Sequence, residues 1–183
     1  MKKLSIIFCS LVITAFCVIS ANAAELALTS IGQSSDAMMI RVLLKSLKIA
    51  PDYDAVMKPE ALTNQKVLVA VIGGSSKGLG AAGINKDDEV KRAEALVKAA
   101  KEKKMKVVMM HVGGEGRRGT LSDLFITKAV PNGDVLILVD GANKDGLFDK
   151  LTKAKKIPVK TAPSITATKE PLKTVLAGYG VTK

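Results

Sequence analysis

The sequence contains no tryptophan, 3% aromatic residues, a single histidine and two cysteines. Stacking of bases on aromatic rings, the usual way single-stranded nucleic acids are read, has almost no material here, so no nucleic-acid partner is expected. The cysteines, Cys9 and Cys17, lie within the first 17 residues. The rest of the chain has only His111 to offer a structural zinc site, and neither a metal nor a cofactor is expected.

The first 23 residues carry a leader pattern. Met1-Lys2-Lys3 is a basic start, and Leu4 to Ile19 is an apolar run broken only by Ser5, Ser10 and Thr14. Ala21-Asn22-Ala23 has the small-x-small form of a cleavage site. The apolar run is shorter than the roughly 20 residues that span a bilayer, so a cleaved signal peptide is expected rather than an anchor, and a periplasmic destination with it. Phe8 and Phe16 precede the cysteines where a lipoprotein signal would carry a small residue. Removing residues 1–23 from 183 leaves 160, over 24–183, a length suited to one domain with one core. That domain has no cysteine, and its stability must come from packing.

Charge is plentiful and lopsided. The chain has 28 Lys+Arg against 17 Asp+Glu. Loss of Lys2 and Lys3 leaves 26 against the same 17, a net +9. Much of the excess lies between Lys98 and Lys106. One reading is a patch for anionic headgroups or a polyanion, by which an interaction subunit docks on a membrane partner through a basic helix. The simpler one is a solvated helix end whose cations complement the dipole.

Apolar runs bounded by glycine alternate with amphipathic stretches. Val67–Ile72, Val107–Val112 and Val135–Val139 are nearly continuous and rich in β-branched residues, the pattern of strands covered on both faces. Weaker strands are expected over 26–31 and 157–161, with an edge strand over 54–57 pairing outside the first. Val90, Ala93, Val97 and Ala100 make a helical stripe, with Asp87, Asp88 and Glu89 in its first turn. Thr120 with Asp123 resembles a capping box, and Thr168 is placed to cap a last helix ending at Gly178. Repeated strand-then-helix means a mostly parallel sheet of five or six strands between helices, a three-layer α/β sandwich of flavodoxin-like or Rossmann-like kind. Met38, Met39, Met109 and Met110 are expected to pack in the core.

Of the 15 glycines, 12 fall in segments that directly follow a strand. In a parallel sheet those segments converge on the carboxyl edge, where glycine allows sharp turns into helices and close approach of backbone N–H groups to a ligand. The candidate binding residues are therefore Gln33, Ser34 and Ser35 after the first strand, Ser75, Ser76 and Lys77 after Ile72, Gly113, Gly114, Glu115 and Arg117 after Val112, and Asn143 and Lys144 after Val139. The loops balance four cations (Lys77, Arg117, Arg118, Lys144) against four anions (Asp36, Glu115, Asp140, Asp145), so a bare anion trap is not implied and a small zwitterionic or polar molecule fits as well as a phosphate or carboxylate. The crevice expected to hold it lies between the first two of these loops, where a flavodoxin-like strand order reverses.

Gly114-Glu115-Gly116-Arg117-Arg118-Gly119 has dinucleotide-binding spacing with Asp140 about 20 residues on, yet export argues against a nicotinamide cofactor. No P-loop is complete, because Leu79 stands where lysine is required. The nucleophile elbow is absent around Ser75. An envelope hydrolase or transferase would have to use His111 or Lys77 with Glu115, whereas a histidine in so apolar a strand is more simply a hydrogen-bonded core residue.

The runs Thr29–Asp36, Ile72–Ile84, His111–Glu115 and Asn143–Phe148 resemble those of a family of exported bacterial proteins known only as a domain of unknown function. The resemblance implies a signal peptide and a single α/β domain. It implies no activity, substrate or cofactor, and no catalytic residue.

Overall fold

The structure, a computed structural model, describes residues 24–181; the expected leader lies outside them. Six strands form one all-parallel sheet: β1 (Leu26–Ile31), β2 (Asp52–Tyr53), β3 (Val67–Ile72), β4 (Lys106–His111), β5 (Val135–Val139) and β6 (Val159–Ala162), in the order β2-β1-β3-β4-β5-β6. β1 and β3 pair along their whole length, from Leu26 opposite Val67 to Ile31 opposite Ile72. The order reverses between them, as in flavodoxin-like folds.

Alternation within the strands sends side chains to two cores. Leu28, Val69, Met110 and Ile137 pack against α1 (Asp36–Ser46) and α6 (Lys169–Gly178) through Ile40, Leu44, Leu172 and Leu176. Ile31, Ala70, Met109 and Leu138 face the other layer, made of α2 (Ser76–Ala81), α3 (Lys86–Glu102), α4 (Thr120–Ala129) and α5 (Leu147–Lys153), which contribute Leu79, Leu96, Phe125 and Phe148. With β1 and β3 buried throughout, continuous apolar runs need no polar face.

Local details depart from the sequence expectations for identifiable reasons. The edge strand lies at Asp52–Tyr53 rather than 54–57, because the Asp54 carboxylate accepts from the Val56 N–H and turns the chain there. β6 begins after Pro158, which has no N–H to pair. Met109 and Met110 are buried on opposite faces, but Met38 and Met39 are 46% and 49% exposed, because the buried stripe of α1 runs through Ala37, Ile40 and Leu44. The expected capping box at Thr120 does not form: Gly119 occupies the N-cap and Asp123 is held by Arg118. Thr168 does not cap α6 either, since its hydroxyl donates back to the Ile165 carbonyl.

Candidate functional site

The loops after β1 and β3 are zipped together. Ser34 N–H donates to the Gly73 carbonyl (3.0 Å), Ser75 N–H to the Gly32 carbonyl (2.9 Å), and Gln33 forms an antiparallel bridge with Gly74. Gly78 presses on this seam so closely that a Cβ there would lie 1.9 Å from the Gln33 carbonyl oxygen. The crevice at the reversal of strand order is therefore filled by backbone.

Beneath the seam lies a charge that the sequence reading left at a helix end. Glu89, in the first turn of α3, is fully buried. Its Oε1 accepts from Gly32 N–H (2.8 Å), Gln33 Nε2 (3.0 Å) and Arg92 Nη2 (2.8 Å), and its Oε2 from Arg92 Nε (2.7 Å). Arg92 also donates to the carbonyls of Met57 and Ser30. The network satisfies a buried ion pair and fixes the β1 turn from below. Gln33 is part of it: its amide also donates to Ala55 O, and its side chain is turned into the fold.

One open space at the carboxyl edge lies one strand further along. A cleft of about 290 Å³ lies between the start of α2 and the loop from β4 to α4, lined by Gly74, Ser76, Gly116, Arg117, Thr120 and Ser122 among others. Gly119 enters α4 with φ 143° and ψ 172°, a region essentially reserved for glycine, and no side chain caps the helix. The uncapped first turn of α4 borders the cleft at Thr120, Leu121 and Ser122, and the Ser122 hydroxyl accepts from Gly74 N–H.

Both arginines of the cleft are already partnered. Arg117 Nη2 donates to Oδ1 of the buried Asp36 (3.3 Å) while its Nε lies 3.3 Å from Oδ2, an oxygen with no well-aligned hydrogen bond. Arg118 donates to both Asp123 and Asp145 and to the Ala142 carbonyl, and its guanidinium sits 5.4 Å from the Phe148 ring centroid. Those carboxylates raise its pKa further, and Arg118 in turn holds the Asp145 carboxyl down at about 2. This clamp ties the β4 loop to the β5 loop.

Of the expected residues, Ser76 and Arg117 line that cleft and the others lie elsewhere. Ser34 is buried, Ser35 is exposed at the start of α1, and Ser75 accepts from Gly78 N–H as the N-cap of α2. Lys77 is exposed on the first turn of α2. Gly113 lies under the Arg117 side chain, and the Gly114 carbonyl faces His111 Nε2. Glu115 pairs with Lys144 across the two loops, and Asn143 caps the Phe148 N–H; Asn143 and Lys144 line a separate hollow of about 270 Å³ by Thr161. His111 is fully buried, with Nδ1 2.9 Å from the Ile72 carbonyl and Nε2 3.3 Å from the Gly114 carbonyl. Burial lowers its pKa, only partly offset by the two carbonyls. A neutral ring has one N–H for two acceptors, and the shorter contact assigns it to Nδ1. Among the described residues no cluster of His, Cys, Asp and Glu could hold a metal ion, and no helix is long and apolar enough to cross a membrane.

A family model described as a domain of unknown function, DUF6305, matches residues 23–176, and the chain belongs to that family. No curated protein and no solved structure matches it.

Proposed function

We propose that this member of the family is exported to the bacterial periplasm and binds a small polar molecule in the cleft between α2 and α4. The observation that carries the reading is the uncapped N-terminus of the ten-residue α4, entered through Gly119 and flanked by Ser76, Thr120, Arg117 and Arg118. The uncapped helix end, the hydroxyl residues Ser76 and Thr120, and two arginines border one volume of ligand size. Both arginines already neutralise acids, so a strongly charged anion would have to compete with Asp36 for Arg117. A carboxylate or zwitterion carrying hydroxyl or amide groups fits that balance better.

The catalytic alternative has less support. His111 is buried against backbone carbonyls and Phe148, Glu115 pairs with Lys144 on the surface, and neither lines the cleft.

A thermal-shift screen of amino acids, carboxylates, phosphate esters and nucleotides tests the reading. A responder at one hundred times its dissociation constant adds about 2.7 kcal/mol, or roughly 5–11 °C in Tm for a chain of this size. Arg117→Ala and Ser76→Ala should remove the response, while Lys144→Ala leaves it. A response that survives both cleft substitutions contradicts the proposal, and consumption of the responder over hours would favour an enzyme acting through Lys77.

A further inference from the structure

We propose that the amino-terminal edge of the sheet, at the opposite end of the molecule from the cleft, is a docking surface for an anionic lipid bilayer. The segments leading into the six strands, counted through each strand's first residue (24–26, 45–52, 63–67, 101–106, 130–135 and 153–159), hold ten lysines, no arginine and four acids. The segments leaving the strands (32–36, 54–58, 73–77, 112–120, 140–146 and 163–169) hold six cations and five acids. Six of the nine net positive charges expected for residues 24–183 therefore sit on the amino edge, against one on the carboxyl edge. All ten lysines are exposed, and only two of them make close ion pairs among the described residues, Lys66 with Glu25 and Lys101 with Asp134.

The placement is repeated in a way that helix electrostatics does not require. Helices α1, α3 and α5 end in the same turn: the N–H groups of Lys48, Lys104 and Lys156 donate to the carbonyls of Lys45, Lys101 and Lys153, and those of Ile49, Met105 and Ile157 to Leu44, Ala100 and Thr152. Lys48, Lys104 and Lys156 have φ of 61°, 59° and 52°, the left-handed conformation in which glycine is normally placed. Helix α6 closes on the same bonds with Gly180 at that position. Lys45, Lys101 and Lys153 already complement the helix dipoles, so a second lysine in a strained position adds charge to the edge rather than stability to the helix.

The edge also offers an apolar recess. A hollow of about 410 Å³ between the ends of α1 and α6 is lined by Leu47, Ile49, Ala177 and Val181, with Lys48 and Lys173 beside it. An apolar hollow beside lysines matches an acyl chain below its phosphate. Lysines without an arginine fork fit a diffuse headgroup layer better than a base-reading or phosphate-clamping site.

The test is co-sedimentation of the chain from Ala24 onward, which contains every described element, with vesicles of phosphatidylcholine alone or with about one third phosphatidylglycerol. Binding is expected only to the anionic vesicles, weakening at least tenfold between about 50 and 300 mM salt as charges are screened. Lys48→Gly, Lys104→Gly and Lys156→Gly combined should leave Tm unchanged or raise it, because the left-handed turns relax, while weakening vesicle binding at least tenfold. Lys103→Gln with Lys155→Gln should weaken it as well, and Lys58→Gln with Lys169→Gln should not. Equal binding to neutral vesicles, no binding at low salt, or binding that survives both amino-edge variants overturns the proposal. So does tighter binding to heparin or duplex DNA than to the anionic vesicles at equal salt, which would assign the edge to a soluble polyanion. None of these outcomes bears on the cleft.

Discussion

At the scale of single residues, two buried polar groups organise the carboxyl edge, and neither touches the cleft. Glu89 joins α3 to the turn after β1, so replacing it leaves the Arg92 guanidinium, whose side chain is 11% exposed, without its anion. Breaking a buried pair from one side costs about 3–5 kcal/mol. Chemical denaturation of Glu89→Gln should show a loss near the lower end of that range, since the amide oxygen still accepts one bond, and a loss below about 1 kcal/mol would remove the network from this account. His111 acts through hydrogen bonding and burial. The unfolded imidazole takes up its proton near pH 6.5, whereas burial depresses the folded value. The unfolded state therefore binds more protons below about pH 6.5, and His111 makes the fold less stable as pH falls through that range. His111→Gln should cost about 1–3 kcal/mol at pH 7.5, and the gap between variant and wild type in urea midpoint should narrow at pH 5.5. A gap that widened on acidification would contradict neutral burial. Asp145 behaves independently: with its carboxyl at about 2, its contribution is complete above pH 4 and is lost only as pH drops towards that value.

Elements were legible where burial is complete and obscure where the chain turns. β3, β4 and β5 stand out because both sheet faces are covered, so nothing interrupts the apolar run. β2 was misplaced by two residues because a two-residue strand has no periodicity and the Asp54 turn decides its end. In the letters Glu89 is one of three successive acids in the first turn of α3, with nothing in its type to set it apart from Asp87 and Asp88. The signal that could have found it is its place on the buried stripe with Ala93, Leu96 and Ala100, with Arg92 three residues on. The thrice-repeated Lys-x-x-Lys-apolar ending of α1, α3 and α5 is visible in the sequence as KSLKI, KEKKM and KAKKI. Its meaning depends on left-handed backbone that the letters alone do not reveal. Two glycines of α2 give a prediction with opposite signs. At Gly78 a methyl group would strike the Gln33 carbonyl, and Gly78→Ala should lose about 1–3 kcal/mol. Gly80 has open space around it, and Gly80→Ala should gain about 0.5–1 kcal/mol from helix propensity. Thermal melts of the two variants that moved in the same direction would show that the seam between the β1 and β3 loops is not tightly packed.

At the scale of the whole molecule, the fold separates two kinds of surface. The glycine-rich carboxyl edge carries nearly balanced charge, with Arg117, Arg118 and Lys144 paired to acids, around an open cleft, and the lysine-rich amino edge carries most of the net charge. The candidate edge was legible because a parallel sheet sends every strand-to-helix turn to one side. The position of the cleft was not, because backbone packing of Gly32, Gly73 and Gly78 closes the expected crevice, and residue types alone do not fix how closely two loops approach. Export has its own check: the intact mass of the protein recovered from the cell envelope should correspond to a chain starting at Ala24 with no free thiol, and a species retaining Cys17 would contradict cleavage.

The central claim, that the cleft between α2 and α4 is where a ligand binds, is tested most directly by mapping backbone amide NMR shifts during titration with a responder from the thermal screen. The account predicts that the largest changes fall on Gly74, Ser76, Gly116, Gly119, Thr120 and Leu121, with saturation at the affinity seen by thermal shift. Changes concentrated instead around Asn143, Lys144 and Thr161, or on the amino edge at Lys48 and Lys173, would contradict it.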